Sequence, residues 1–479
     1  MSNLLTSLVS SANALSVFER ALVVSQNNVT NASTPGYAAQ RITLEAADFD
    51  VNLGLIGGVR AGDVESSRNL YAEQAVRRQL ESLGYSEQTA QSLSAIENSF
   101  DITGDKGIPG ALSSLFDSFS AWSLQPNNAS DRQTVIDRAT ALADSFHEMS
   151  SGLAQASTDA DRQMGQTVQK INELGARLQE LNGERRRGGQ NDAGLDTQVQ
   201  NTIEELSELV NVSSLYQDDG SVTVLIGGQT PLVVGENLYR VQVRFDLPAS
   251  ATPDYPAAQG PARIVDSDGK DITEQVTQGQ LGGLLDVRNN VLPALNGDAY
   301  HAGSINVLAK AVADRVNQLL TTGQISDGPP AVAGKPLFTY DTSSDASVAR
   351  TLALDPGIAA ADLAAIRPGP PYVANGTALQ LAELANPQSD ADKIDGLSYV
   401  EYYGQAAATV GSRLADAKND QDFKTQMVAQ ARSLRSELSG VSLDEEAILL
   451  IQYQRAYQAN AKMVTVLTDL TQTVIDLIT

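Results

Sequence analysis

The sequence predicts a mainly α protein with an inserted β-rich domain and a long heptad helix at each end. Three observations predict this. Apolar residues recur every seven positions at both termini, and the hydrophobic period switches from helical to alternating near residue 212. The composition is rich in Ala and Leu but only 5% aromatic, with one tryptophan in 479 residues, which favours packed helices over a large mixed core. With 42% apolar residues, a chain of this length builds about three domains.

At the N-terminus Leu8, Leu15, Leu22 and Val29 stand one heptad apart, with Leu4 and Phe18 on the same face. Seven-residue spacing keeps a seam turned toward a partner helix, the pattern of a coiled coil. The run "NNVTNASTPGY" ends that helix. Its amides compete for backbone hydrogen bonds, and Pro35-Gly36 turns the chain. Residues 44 to 62, with Gly54, Gly57, Gly58 and Gly62, read as loop or extended chain, and 69 to 97 as helix. "DITGDKGIPG" is a turn-rich break. Three helical stripes follow: Val135, Ala139, Leu142, Phe146 and Met149; Ile171, Leu174, Leu178 and Leu181; Val199, Ile203, Leu206 and Val210. Between the last two, "GERRRGGQNDAG" reads as a hairpin tip with solvated arginines.

In "LYRVQVRFDL" Tyr239, Val241, Val243 and Phe245 alternate with polar residues, predicting one strand with a wet face. "SVTVLI" and "ARIVD" are its companions. Helix returns over 284 to 320, and residues 321 to 395, rich in Gly, Pro, Ala and Asp, form a second weakly patterned excursion. Val400, Tyr403, Ala407, Val410 and Leu414 restart a helix that Val428, Ala431, Leu434 and Leu438 continue. The last helix opens on a capping box, Ser442 with Glu445, and Asp444, Glu445 and Glu446 suit its first turn. Leu449, Ala456, Met463, Leu470 and Leu477 then repeat every seven residues. The expected division is 1–62 with 440–479 as a terminal coiled-coil domain. A helical domain takes 63–211, 281–320 and 396–439, and a β-rich outer insertion takes 212–280 and 321–395.

The net charge of -25 repels nucleic acid and anionic lipid, so neither is an expected partner. The lack of cysteine removes disulfides, thiolate metal sites and cysteine nucleophiles. No basic residue precedes Arg20 and polar residues interrupt the early leucines, so no secretory signal is expected. No membrane-spanning segment is expected either. The histidines are His147 and His301 alone, too few for a triad or a zinc site. "DSDGKDITEQVT", from Asp266, has Gly269 in fourth place and Thr277 in twelfth, which fails a calcium loop and reads as a turn. In "GPPAVAGKP" the glycine spacing is too long for a phosphate loop, and Pro336 stands where Ser or Thr should hold magnesium. Capping accounts for Asp444-Glu445-Glu446 without an acid pair. No catalytic, cofactor or metal site is expected.

The two ends carry a resemblance. "NNVTNASTPGY", with Asn31, Pro35, Gly36 and Tyr37, resembles the N-terminal motif of the bacterial flagellar rod, hook and hook-associated proteins. "YQRAYQANAKMV", with Tyr453, Gln454, Ala456, Tyr457, Ala459 and Ala461, looks like their shared C-terminal motif. "GIPGALSSLFDSFSAWSLQPNNASDRQTVIDRATALADSF", with Trp122, Pro126 and Arg132, is similar to the helical domain of the hook-associated branch, and the C-terminal "SGVSLDEE" resembles that branch rather than hook protein. The resemblance implies a nested multi-domain axial protein, exported unfolded by the flagellar type III apparatus, that joins hook to filament outside the cell. Its terminal helices would polymerise with copies of itself and meet hook protein and a second junction protein or filament. Its C-terminal helix would bind a cytoplasmic flagellar export chaperone. The alternatives are a hook or distal-rod protein or, from another class, a secreted acidic coiled-coil adhesin. An envelope muramidase would need a carboxylate pair across a cleft, and none is visible.

Overall fold

The computed structural model describes residues 2–48, 57–100, 107–189, 192–247, 250–256, 258–328 and 330–476. Helix α1 (Ser2–Asn31) leads into an antiparallel hairpin, β1 (Gln40–Ala47) and β2 (Gly58–Ser66). Helices α2 (Leu70–Glu97), α3 (Gly107–Leu124), α4 (Ala129–Glu184) and α5 (Ala193–Leu209) follow. An antiparallel sheet of order β3-β4-β5-β6 takes Val212–Tyr216, Val222–Ile226, Thr230–Val234 and Asn237–Leu238. β7 (Gln242–Arg244) pairs with β8 (Arg263–Val265). Next come α6 (Gly279–Asp286), α7 (Leu292–Asn296) and α8 (Ser304–Thr322), then the short strands β9 (Gln324–Ser326), β10 (Val332–Ala333) and β11 (Phe338–Thr339). α9 (Val348–Thr351), β12 (Ala353–Leu354), α10 (Gly376–Glu383), α11 (Tyr399–Ser439) and α12 (Leu443–Asp476) complete the chain.

These elements form two compact units, one of 1–82, 172–239 and 424–479, the other of 83–171 and 240–423. The division differs from the three-part expectation because the crossings at 82/83, 171/172 and 423/424 fall inside α2, α4 and α11. The second unit is organised by one apolar core. Trp122, Phe119, Leu142 and Phe146 meet Val312, Val316, Tyr403 and Val410 there. Trp122 Nε1 donates to Pro126 O at 3.1 Å, Arg132 Nε donates to the same carbonyl at 2.8 Å, and the guanidinium lies 6.0 Å from the indole. Residues 321–395 contribute Leu337, Phe338, Leu352, Leu363 and Leu381 to that core. They are therefore not an outer β-rich insertion. Their strands are two or three residues long, and the apolar side chains between them close over the helices.

In the first unit the α4 face of Leu174, Leu178 and Leu181 is buried, as are Val199, Ile203 and Leu206 of α5. A Cβ on Gly175 would stand 2.8 Å from Leu238, so the glycine admits the sheet to α4. Asn182, fully buried, donates to the carbonyls of Val222 (2.9 Å) and Gly235 (2.8 Å) and accepts from the Val222 amide. The single strand expected over 238–245 is split: β6 ends at Leu238, β7 begins at Gln242, and the unit boundary falls at 239/240. The "RRR" tip is solvated at Arg186 and Arg187, as expected, but not at Arg185. Arg185 is buried against Asp196, and Arg186 pairs with Asp219 and Glu236. On α11 Val428 is buried while Leu434 and Leu438 are exposed, because Arg435 and Ser439 take that face for polar contacts described below.

Residues Leu4–Asn31 of α1 are, contrary to expectation, long and apolar enough to cross a membrane by length and composition. Leucines and valines lend α1 this character, whereas the residues buried against α12 include Ala14, Ala21, Ser25 and Asn28. Asn28 meets Glu446 and Phe18 faces Tyr453, so the two helices run antiparallel. Leu477 and Gly54 lie outside the described residues, as does part of "DITGDKGIPG".

Candidate functional site

The buried seam of α1 comprises Ala14, Val17, Ala21, Ser25 and Asn28, at steps of three or four residues. It runs one position ahead of Leu8, Leu15 and Leu22, which flank it half-buried, and of Val29, which is exposed. On α12 the matching line is Glu446, Tyr453, Asn460, Leu467 and Val474. Leu449 and Ala456 lie half-buried beside it, whereas Met463 and Leu470 are about half exposed, at 52% and 47%.

Asn28 is the polar hub of this pairing. An amide offers two donors and two acceptor sites, and Asn28, only 1% exposed, uses all four. Its Nδ2 donates to Gln40 O and to Glu446 Oε1, both at 2.8 Å. Its Oδ1 accepts the Gln40 amide at 2.8 Å and the Tyr37 hydroxyl at 3.0 Å. The Gln40 amide is a donor and its carbonyl an acceptor, so only one orientation of the side chain satisfies both. Burial, then the Glu446 carboxylate, pushes the Tyr37 hydroxyl up; the same two causes raise Tyr453. Glu446 is thus a buried member of the clasp rather than a solvated capping charge. Glu445 N donates to Ser442 Oγ at 3.4 Å as a cap requires, but its carboxylate faces Arg41 at 3.5 Å.

The turn that follows is fixed from three sides. Gly36 adopts φ +74°, and a Cβ there would stand 2.0 Å from Asn201 Oδ1, so both conformation and space demand glycine. Asn201 Nδ2 donates to Pro35 O at 3.2 Å, and Arg68 Nη2 to Gly36 O at 2.9 Å. Arg68 also pairs with Glu73 (2.5 Å) and Asp196 (2.7 Å). Arg435 of α11 bridges Glu73 at 3.1 Å and Glu204. Burial alone would lower the Arg435 guanidinium, but the Glu204 and Glu73 carboxylates outweigh it and its pKa is raised. Ser439, at the end of α11, accepts the Ala39 amide (2.9 Å) and the Ser67 hydroxyl (3.1 Å) on its carbonyl and the Asn69 amide (2.9 Å) on its hydroxyl. The turn, the start of α2, α5 and the α11–α12 junction thereby share one polar cluster.

A family model described as "Flagellar hook-associated protein FlgK helical domain" matches residues 93–338, just over half of the chain. The chain belongs to the flagellar hook-associated protein FlgK family. Residues 432–477 match the C-terminal model of the flagellar basal body rod FlgEFG proteins. The chain is 26% identical to flagellar hook-associated protein 1 of Bacillus subtilis strain 168 over 509 residues, covering 99% of each. It is 26% identical over 340 residues to that of Salmonella typhimurium, covering 68% of this chain and 58% of the relative. The flagellar hook junction protein FlgK from Burkholderia pseudomallei shares the fold, with TM-score 0.64 at 14% identity, covering 77% of this chain and all of that one. Membership makes this chain a structural component of the bacterial flagellum.

Among the motif residues, Pro35, Gly36 and Tyr37 enter the clasp and turn. Asn31 Nδ2 donates back to Asn27 O at 3.0 Å, inside the last turn of α1. Tyr453 stacks obliquely on Phe18 at 6.4 Å, Ala461 is half-buried, and Gln454, Tyr457 and Ala459 are exposed. Sequence reasoning missed Asn28, Arg68, Glu73, Glu204, Arg435 and Glu446. One signal was present: Ala14, Ala21 and Asn28 form a heptad of their own, with an amide where an apolar residue is expected. The ion cluster joins residues up to 362 positions apart and left no local pattern. His301 Nδ1 lies 2.8 Å from Asp298, and Asp266 Oδ1 accepts the Asp268 and Lys270 amides as the turn reading expects. Among the described residues no group of three or more His, Asp or Glu is placed to hold a metal.

Proposed function

We propose that this chain joins hook to filament as a junction subunit outside the cell, exported unfolded by the flagellar type III apparatus and polymerised through α1 and α12. One observation carries the reading. The two terminal helices are clasped within one chain, yet Val9, Val23, Ile448, Ile451, Met463 and Leu470 stay exposed on them. Apolar stripes of that extent mark contact surfaces. The occupants are copies of the chain, hook protein, and a second junction protein or filament. Before export the C-terminal face holding Leu449, Ala456, Met463 and Leu470 is covered by a cytoplasmic flagellar chaperone, which keeps an aggregation-prone seam out of water. The role is architectural, with no catalytic step.

The test uses Leu470→Asp beside Asp469→Asn, two neighbouring exposed positions. Leu470→Asp is expected to weaken chaperone binding in vitro and to leave cells with hooks but without attached filaments. Asp469→Asn should disturb neither. A Leu470→Asp strain with normal chaperone affinity and normal filaments would show that this face is not the assembly seam.

A further inference from the structure

A cleft of about 490 Å³ in the first unit, between α2 and the edge strand β3, takes no part in the clasp or the ion cluster. β3 lies at the edge of its sheet. Its ladder with β4 fixes which backbone groups point outward. Gly227 N bonds Asn211 O, and Gln217 N bonds Ser221 O, so the odd-numbered positions 211 to 217 face β4. The backbone N–H and C=O of Val212, Ser214 and Tyr216 therefore face away from the sheet. Glu81 accepts the first of these amides, from Val212, at 3.0 Å. Among the described residues no strand covers those of Ser214 and Tyr216. The strand, "VSSLY", has no proline or charge to block pairing, and Leu215 on it is exposed.

The opposite wall carries Arg77 and Arg78. Arg77 is 8% exposed, and its Nη1 is buried without a hydrogen-bond partner. A buried guanidinium N–H left unmatched is costly, and a carboxylate is the group that best satisfies it. We propose that this cleft binds an extended acidic segment of another protein chain, which pairs with β3 as a further strand and sets a carboxylate against Arg77. Backbone pairing supplies the register and the arginine the preference for acid, the division of labour of strand addition. The cleft's titratable groups are Arg77, Arg78, Glu81 and Tyr216. Burial raises Glu81 to about 7, so near neutral pH the cleft is positive on a chain of net charge -25.

The probes are two fluorescein-labelled peptides, TVEVTV and TVKVTV, titrated into the full chain near neutral pH and followed by anisotropy. TVEVTV is expected to bind saturably and about tenfold tighter than TVKVTV. It should slow amide exchange over residues 212–217. Arg77→Met, which keeps the apolar stem, should weaken TVEVTV about fivefold, and Ser214→Pro, which deletes an outward amide, should abolish binding. Should Ser214→Pro not fold, Arg77→Met still decides. Equal affinity for both peptides, unchanged exchange at 212–217, or an Arg77→Met variant that binds TVEVTV normally would overturn the proposal. So would glutarate binding as tightly as the peptide.

Discussion

Asn28 and Glu81 each tie a side chain to backbone that no ladder satisfies. Asn28 replaces an apolar seam residue by an amide whose four bonds are all made inside the protein. Such a residue contributes specificity of register as much as stability. Asn28→Leu would fit the space but strand the Gln40 amide, the Tyr37 hydroxyl and a Glu446 oxygen. It is expected to cost about 3 kcal/mol, seen as faster amide exchange along α1 and the start of α12; unchanged exchange would deny the clasp its role. Glu81 illustrates a pH-dependent case. Burial raises its pKa from 4.5 to about 7, while the Val212 amide and the Arg77 and Arg78 guanidiniums pull it down. A carboxyl whose folded pKa is raised contributes stability that is complete below its unfolded value and is lost as pH rises through the folded one. Wild type should therefore lose stability relative to Glu81→Gln between pH 5 and 8, by at most about 3 kcal/mol. Urea midpoints of the two proteins at each pH measure it, and parallel curves would contradict the burial.

At the scale of elements, each terminal helix has a face turned to the other and an exposed apolar face, and the inward face of α1 is built mostly of small residues. Against α12, α1 presents Ala14, Val17, Ala21 and Ser25, all buried, while Val9 and Val23 point outward. Small residues let the helix axes approach; a larger one must push them apart. Ala21→Leu, at a fully buried position, is expected to destabilise the α1–α12 pair by about 1–3 kcal/mol through overpacking. Met463→Asp, on the exposed face, should leave the isolated chain within about 0.5 kcal/mol of wild type. Chemical denaturation followed in the terminal helices separates the two, and equal losses would mean that the faces are misassigned. Much of this was legible beforehand. The heptads located both helices, and the stripes through Val135, Ile171 and Val199 located buried faces. The phase of the α1 seam was not legible, because alanine and asparagine carry little hydrophobic signal next to leucine. The strand expected through Tyr239 failed for a different reason. Alternation specifies a wet and a dry face, but not that the chain changes sheets partway along.

For the whole molecule, the order of segments could be read but their grouping into units could not. Three of the four unit boundaries lie inside helices whose periodicity continues without a break, so no composition shift marks those three. Residues 321–395 misled for a related reason. Their apolar residues are scattered among Gly, Pro and Ala, with no period, yet Leu337, Phe338 and Leu352 complete a core built by distant helices. Net charge acts at this scale alone. Each chain carries -25, so copies brought side by side repel over the screening length, which falls from about 30 Å at 0.01 M salt to about 10 Å at 0.1 M. The attraction between exposed apolar faces is short-ranged and is little weakened by added salt. Self-association of the purified chain should therefore accelerate by about tenfold or more over that salt range. Leu470→Asp should stay dissociated throughout, because salt removes the repulsion without restoring the missing contact. Light scattering against salt concentration for both proteins tests this. Association that slowed with salt would mean that copies meet through oppositely charged surfaces rather than through the apolar faces of α1 and α12.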